Sequence, residues 1–284
     1  MKPSIKIVEC SRDAMQGFSK TIPTDLKVEY INSLIEVGFD TIDCGSFVSA
    51  KAVPQLADTS EVLSKINKVT NNTKLLSVVA NEKGAETACG FDNINLIGFP
   101  FSISETFQLR NTRQTTSEAF MRLKAMQNIA LQSNKQFLVY LSMGFGNPYN
   151  DEWSIELAID WCKKIADEGV TLINLSDTIG VAQVPDIKRL FEGVKGIDRV
   201  EFGAHFHTRP DNYHQNLQAA YQSGCRKFDA AIQGFGGCPF AADKLTGNLP
   251  TELLLSFLDD VNESTGINKE KFSSSFELAT KVFG

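Results

Sequence analysis

The chain has 284 residues, 42% hydrophobic and 22% charged, with a net charge of −6 at pH 7. That balance is ordinary for a globular protein and argues against disorder, collagen and fibres. No apolar run approaches the ~20 residues of a membrane span, and an acidic chain is a poor match for nucleic acid, although a few local Lys and Arg residues suffice to hold a small anion. In chain order, short apolar runs fall at 5–10, 41–44, 75–80, 94–98, 137–143, 172–175, 200–204 and 227–231. They are rich in Val, Ile, Leu and Phe, as parallel strands covered on both faces tend to be. Helical periodicity fills intervals between them. Over 24–37, Leu26, Tyr30, Ile31, Leu34 and Ile35 form one stripe, and 117–132, 151–168 and 210–223 repeat the pattern. Eight strand–helix units match the length of a single (β/α)8 TIM barrel over 1–284, with one or two extra C-terminal helices after the eighth strand. A doubly wound open sheet is the competing arrangement.

The six cysteines form no C-x-x-C pair and read as reduced cytoplasmic thiols. Neither end of the sequence reads as a targeting signal. The expected partner is a small molecule, with no nucleic acid and no membrane.

In such a barrel the chemistry lies where strands end. Glu9-Cys10-Ser11-Arg12-Asp13 follows the first run, Asp43 and Ser46 the second, and Ser176-Asp177-Thr178 the sixth. His205-Phe206-His207 follows the seventh, and Gly234-Phe235-Gly236-Gly237-Cys238-Pro239, then Gly247-Asn248, the eighth. His-x-His is the strongest local signal. Residues i and i+2 of a strand share a face, so both imidazoles can reach one metal, and two of the chain's three histidines stand here. The plain alternative is a hydrogen-bonded pair without a metal. Asp13 and the Asn248 amide oxygen would complete a mixed N/O site for Mg2+ or Mn2+, with Zn2+ also compatible. Arg12 offers a fixed charge suited to an enolate or carboxylate oxygen; Arg-Asp is equally a common surface dipeptide. Cys238 reads either as a loop thiol able to donate a proton or as an inert buried one. His214 reads as structural. Glu105, Arg110 and Arg113 read either as solvated charges or as contacts for an anionic substrate arm.

Taken together, the chain resembles the 3-hydroxy-3-methylglutaryl-CoA lyase family, among the metal-dependent lyase and Claisen-condensing barrels. The resemblance runs from Val8 to about Leu254. It rests on Arg12-Asp13-x-x-Gln16, Ser46-Phe47-Val48-Ser49-x-Lys51-x-Val53-Pro54-Gln55 and Asp177-Thr178-Ile179-Gly180, together with His205-x-His207, Gly234-x-Gly236-Gly237-Cys238-Pro239 and Gly247-Asn248-x-x-Thr251-Glu252. It implies a metal site of Asp13, His205, His207 and Asn248, with Arg12 on a developing enolate and Cys238 as a mobile acid. Asp43, Asp177 and Glu252 join the catalytic set, Asp43 or a site histidine being the candidate base. Gln16, Lys20, Ser46 and Lys51, with Arg12, are the expected substrate contacts. The implied reaction is retro-Claisen-type cleavage of 3-hydroxy-3-methylglutaryl-CoA to acetyl-CoA and acetoacetate, as in leucine degradation or ketone-body formation, by a cytoplasmic homodimer or other homo-oligomer. Asp43 departs from the family, which has a Glu there followed by two threonines instead of Cys44-Gly45. These smaller residues leave room for the strand end to shift so that Asp43 still faces the site. Two other readings are a metal barrel acting on another 3-hydroxyacyl-CoA or a 2-oxo acid, and a non-catalytic metal-stabilised binding protein. Arg12 and Cys238, which a structural metal would not need, speak against the latter.

Overall fold

Pairing each apolar run in parallel with the next closes a ring of eight strands. In the computed structural model, which describes residues 4–237 and 246–284, these are β1 (Lys6–Glu9), β2 (Thr41–Ser46), β3 (Lys74–Val78), β4 (Leu96–Ser102), β5 (Gln136–Ser142), β6 (Leu172–Asp177), β7 (Glu201–Phe206) and β8 (Lys227–Ala230). Lys6 to Glu9 of β1 lie beside Lys227 to Ala230 of β8, a pairing that rules out the open sheet. Helices α1 (Ser11–Gln16) and α2 (Thr24–Val37) follow β1, then α3 (Thr59–Lys65) follows β2 and α4 (Glu82–Cys89) follows β3. After β4 come α5 (Glu105–Thr112) and α6 (Thr116–Gln132), and then α7 (Ile155–Asp167), α8 (Val184–Val194) and α9 (Tyr213–Gln222) follow β5, β6 and β7 in turn. Two helices, α10 (Thr251–Asp260) and α11 (Lys269–Phe283), lie beyond β8.

Four strands run further toward their C-terminal ends than the apolar runs that announce them: β2, β4, β6 and β7 end on Ser46, Ser102, Asp177 and Phe206. The ladder needs backbone groups and not apolar side chains. Polar residues therefore occupy the last positions of β2, β4 and β6, where the strands face the barrel mouth, and His207 follows directly on β7. Along β7, Ala204 and Phe206 belong to the core beneath the helices, so Gly203, His205 and His207 point into the barrel.

The barrel interior is divided. Leu76, Val78, Leu96, Leu138, Tyr140 and Leu172 make an apolar cluster of their own on β3 to β6. Across from it, Asp43, Asn174, His205, Lys227 and Asp229 are buried and polar. The α5 wall of the mouth is pinned by Asp151, which accepts from the Thr106 amide and hydroxyl, both at 2.9 Å, and from the Ser104 hydroxyl. At the end of α11, Phe283 meets the rings of Phe18, Tyr30 and Phe235, with centroids 5.7, 5.9 and 4.7 Å away.

Glu9 closes the ring chemically. It is fully buried, and its carboxylate accepts from the Ile232 amide at 2.9 Å and the Thr251 hydroxyl at 2.7 Å. It thus ties the first strand to the turn after the last and to the start of α10. Burial pushes its pKa up to about 8, against the pull of those two hydrogen bonds. A raised folded-state pKa means that the folded chain favours the protonated acid. The stability this group contributes is complete below the ordinary value of 4.5 and is lost as pH rises through about 8. The urea midpoint should accordingly fall between about pH 5 and about pH 8, and Glu9→Gln should flatten that slope. An undiminished slope in the variant would assign the pH dependence to another group.

Candidate active site

A cavity of about 350 Å3 opens where the strands end, and Arg12, Asp13, Gln16, Ser46, Lys51, His205 and His207 all line it. The short helix α1 turns directly out of β1 and delivers Arg12 and Asp13 to the floor. Arg12, 7% exposed, is held on three sides. Its Nε and Nη2 donate to Asp43 Oδ2 at 2.9 and 2.7 Å, and its Nη1 donates to Asp13 Oδ1 at 2.9 Å and Gln16 Oε1 at 2.8 Å. Burial pushes both carboxyls up, but to different outcomes. In Asp13 the Arg12 guanidinium and the two imidazoles outweigh burial and hold it at about 2, whereas Asp43 stays at about 6 despite Arg12. The β2–β3 ladder changes register between Asp43 and Gly45. A Cβ on Gly45 would stand 2.5 Å from the Thr59 methyl. Asp43 stands at that irregular strand end, within hydrogen-bond reach of Arg12.

Ligand atoms of Asp13, His205 and His207 lie within 4.8 Å of one another, a group that could hold a metal ion. Hydrogen bonds behind the two rings set which nitrogen is free. His205 Nδ1 lies 3.0 Å from Asp229 Oδ2 and His207 Nδ1 lies 2.8 Å from the Thr246 carbonyl oxygen, so both Nδ1 atoms carry the hydrogen. Both Nε2 lone pairs are then left for a metal. Burial, reinforced by His205, pulls His207 down to about 4, which makes it a neutral ligand at pH 7. Charge points the same way: Asp13 and Asp43 are both buried against the single guanidinium of Arg12, an excess that a cation would balance. Cys10, His205 and Asp229 form a second cluster of the same spacing, but there His205 Nδ1 is committed to Asp229.

The remaining expected residues fall into two classes. Asn248 is tied to the cluster through Asp13: its Nδ2 donates to Asp13 Oδ2 and to the Phe235 carbonyl oxygen, both at 2.8 Å. Asp43, Asp177, Glu252 and Lys20 do not line the cavity. Asp43 stands behind Arg12. Asp177 accepts from the Val181 and Ala182 amides at 3.0 and 2.9 Å and so shapes the loop on which Thr246 rests, its hydroxyl donating to the Ile179 carbonyl oxygen at 3.3 Å. Glu252 accepts from the Gln233 amide at 3.0 Å and fixes the turn after β8. Lys20 reaches the Gly284 carbonyl oxygen at 3.3 Å, because the chain after α1 runs toward the end of α11 and away from the cavity. Cys238 lies outside the described residues. His214 packs edge-on against Phe257, away from the cluster.

Arg113, one of the charges the sequence offered for an anionic substrate arm, lines the cavity just after α5. Asn111, Thr112, Tyr140 and Asp229 went unseen in sequence; the first three line the cavity, and the Tyr140 ring stands edge-on to His205 at 5.3 Å. Asp229 orients His205. Its one legible signal was a carboxylate inside a buried apolar run, a placement that normally requires a partner.

Gly236 makes this cluster possible. Its φ is +101°, and a Cβ there would stand 2.6 Å from both the Asp13 carbonyl oxygen and Asn248 Nδ2. Gly236→Ala should therefore push Asn248 off Asp13 and weaken Mn2+ binding about tenfold, read by calorimetric titration of the metal-free protein. Unchanged affinity would remove Asn248 from the metal cluster.

Comparison with known proteins accords with this geometry. The HMGL-like family model matches residues 4–278. A human protein, 3-hydroxy-3-methylglutaryl-CoA lyase, cytoplasmic, is 32% identical over 282 residues, which is 98% of this chain and 75% of the relative. The hydroxymethylglutaryl-CoA lyase YngG of Bacillus subtilis is 31% identical over 274 residues, 96% of this chain and 91% of the relative. Among solved structures, an HMG-CoA lyase from Acinetobacter baumannii in complex with coenzyme A and 3-methylmalate aligns with a TM-score of 0.91 at 31% identity, covering 99% of this chain and 92% of that one. Matched by the family model over residues 4–278, and 32% identical to a relative over 98% of its own length, the chain belongs to the HMGL-like family.

Proposed function

We propose that this protein is a divalent-metal-dependent lyase that cleaves 3-hydroxy-3-methylglutaryl-CoA to acetyl-CoA and acetoacetate. The observation that carries the reading is one cavity holding both the Asp13–His205–His207 cluster and the buried guanidinium of Arg12. A relative of the same fold binds coenzyme A and 3-methylmalate, a thiol carrier and a branched hydroxy acid of the kind this reaction needs. The ligand set of Asp13, His205, His207 and Asn248 suits Mg2+ or Mn2+, and Zn2+ is chemically compatible. When bound, such an ion supplies Lewis acidity toward the substrate's hydroxyl and carbonyl oxygens.

The chain's own groups do the rest. As the tertiary hydroxyl passes its proton to a site histidine, the bond between its carbon and the methylene beside the thioester breaks, and that proton later restores the Cys238 thiol. The hydroxyl carbon becomes the ketone of acetoacetate, and the bonding pair moves onto the thioester as an enolate. Arg12, aimed by Asp43, Asp13 and Gln16, meets the negative oxygen of that enolate with a charge already in position. Cys238 donates the proton that completes acetyl-CoA. Ser46 and Lys51, on the cavity wall, contact the acyl-CoA arm. Asp43 acts through Arg12, since the guanidinium stands between it and the cavity. The human relative's name carries a cytoplasmic location, which we extend to this chain. A homodimer or other homo-oligomer is the expectation from the family resemblance. Among the described residues no helix is long and apolar enough to cross a membrane.

Metal-loaded protein should release acetoacetate from 3-hydroxy-3-methylglutaryl-CoA in preference to other 3-hydroxyacyl-CoAs. Strong turnover of another member of such a panel, with none of this substrate, would transfer the assignment to a different acyl group. Asp43→Asn removes one charged partner of Arg12, an interaction of about 1.5–3 kcal/mol, and should lower kcat by about tenfold or more. Mn2+ affinity should change little, because Asp43 is outside the metal cluster. Asp43→Glu should not exceed the wild-type rate, since the shorter side chain is already within hydrogen-bond reach of Arg12. A large gain in kcat would show the short side chain to be a defect on this substrate.

A further inference from the structure

The two imidazoles of the metal cluster are held from behind in different ways. His207 leans on a backbone carbonyl, that of Thr246. His205 leans on a side chain, Asp229, its register partner on the neighbouring strand. Asp229 is itself gripped. The amide Nδ2 of Asn174 donates to both of its oxygens, at 2.9 and 2.8 Å. Asn174 is fully buried, and its Oδ1 has no hydrogen-bond partner. A buried polar group left half-satisfied costs stability, so the amide is fixed here against a local penalty. Its strand neighbour is Gly203, and any Cβ at that position would collide with Asn174 Oδ1. The absence of a side chain on β7 thus makes room for the amide on β6 that steadies the carboxylate on β8.

We propose that Asn174 and Asp229 are positioning residues of the metal centre: Asn174 clamps the Asp229 carboxylate, and Asp229 holds the His205 ring with its hydrogen on Nδ1 and its Nε2 lone pair toward Asp13 and His207. Neither residue lines the cavity, so both act through His205. This role rests on the reading of Asp13, His205 and His207 as the metal site.

Two measurements on 15N-labelled, metal-free protein test it. Long-range 15N–1H correlation reads the tautomer of His205, and titration with Mn2+ reads affinity. At a pH high enough to keep His205 neutral, burial being outweighed by Asp229 so that its pKa is raised, the wild type should show the hydrogen on Nδ1. Asn174→Ala should mix the His205 tautomers, leave His207 unchanged and weaken Mn2+ binding about tenfold, within the usual range for a group behind a ligand. Asn174→Asp should weaken it further, because a carboxylate would then face Asp229. Thermal melts verify that the barrel is intact. If Asn174→Ala does not fold, Asn174→Ser, which keeps a hydrogen-bond donor, is measured the same way with a smaller loss expected. Wild-type tautomer and affinity in the variant would overturn the positioning role alone. A wild-type protein with His205 fixed but no affinity for Mn2+ would overturn the metal-site reading, and this role with it.

Discussion

A guanidinium buried at the mouth of a barrel must be met by carboxylates, and much of the site follows from that requirement. Removing one partner of a buried ion pair typically costs about 3–5 kcal/mol, because the other charge is left stranded. Arg12 has two such partners on different elements, Asp13 on its own helix and Asp43 on the adjacent strand. The pairing fixes where α1 sits over β2. The β2–β3 ladder changes register at that same strand end, between Asp43 and Gly45, where a Cβ on Gly45 would strike Thr59. The same charges leave the floor with more carboxylates than cations, an imbalance that suits a divalent ion.

The histidines show how much of a metal site lies behind its ligands. Each ring donates from Nδ1 to an acceptor supplied by another part of the chain, a carboxylate on β8 in one case and a loop carbonyl in the other. That loop carbonyl, of Thr246, is in turn braced by the turn that Asp177 organises. Glu9 and Glu252 do the equivalent work for the turn after β8, from which the glycine-rich segment departs. Carboxylates that a sequence places near the site therefore divide into those on the cavity wall and those that hold the wall.

Inside the barrel the two halves do different jobs. The apolar cluster on β3 to β6 is a packed core of the kind that stabilises any such barrel. The polar half, from β6 round to β2, gives up some of that packing for hydrogen-bonded and charged groups. Asn174 Oδ1, Asp43 Oδ1 and Lys227 Nζ are buried there without partners. Natural proteins carry such unsatisfied groups mainly where function requires them.

The chain sequence by itself determined whatever depends on local covalent geometry. Apolar periodicity located all eight strands, since parallel strands bury both faces and need continuous Val, Ile, Leu and Phe. The i, i+2 spacing of His205 and His207 sufficed to aim both at one point, because alternation along a strand is a property of the backbone. The placing of Arg12, Asp13, Ser46 and Asn248 followed from their positions at or after strand ends, whereas Gln16 and Lys51 were legible only through the family resemblance. What the tertiary structure decided was every contact between strands distant in sequence. Asp229 meets His205 and Asn174 through register and barrel closure, which no spacing along the chain encodes. Asp43 ended behind Arg12, and Lys20 at the end of α11, because the direction of a side chain past a strand end depends on what packs against it.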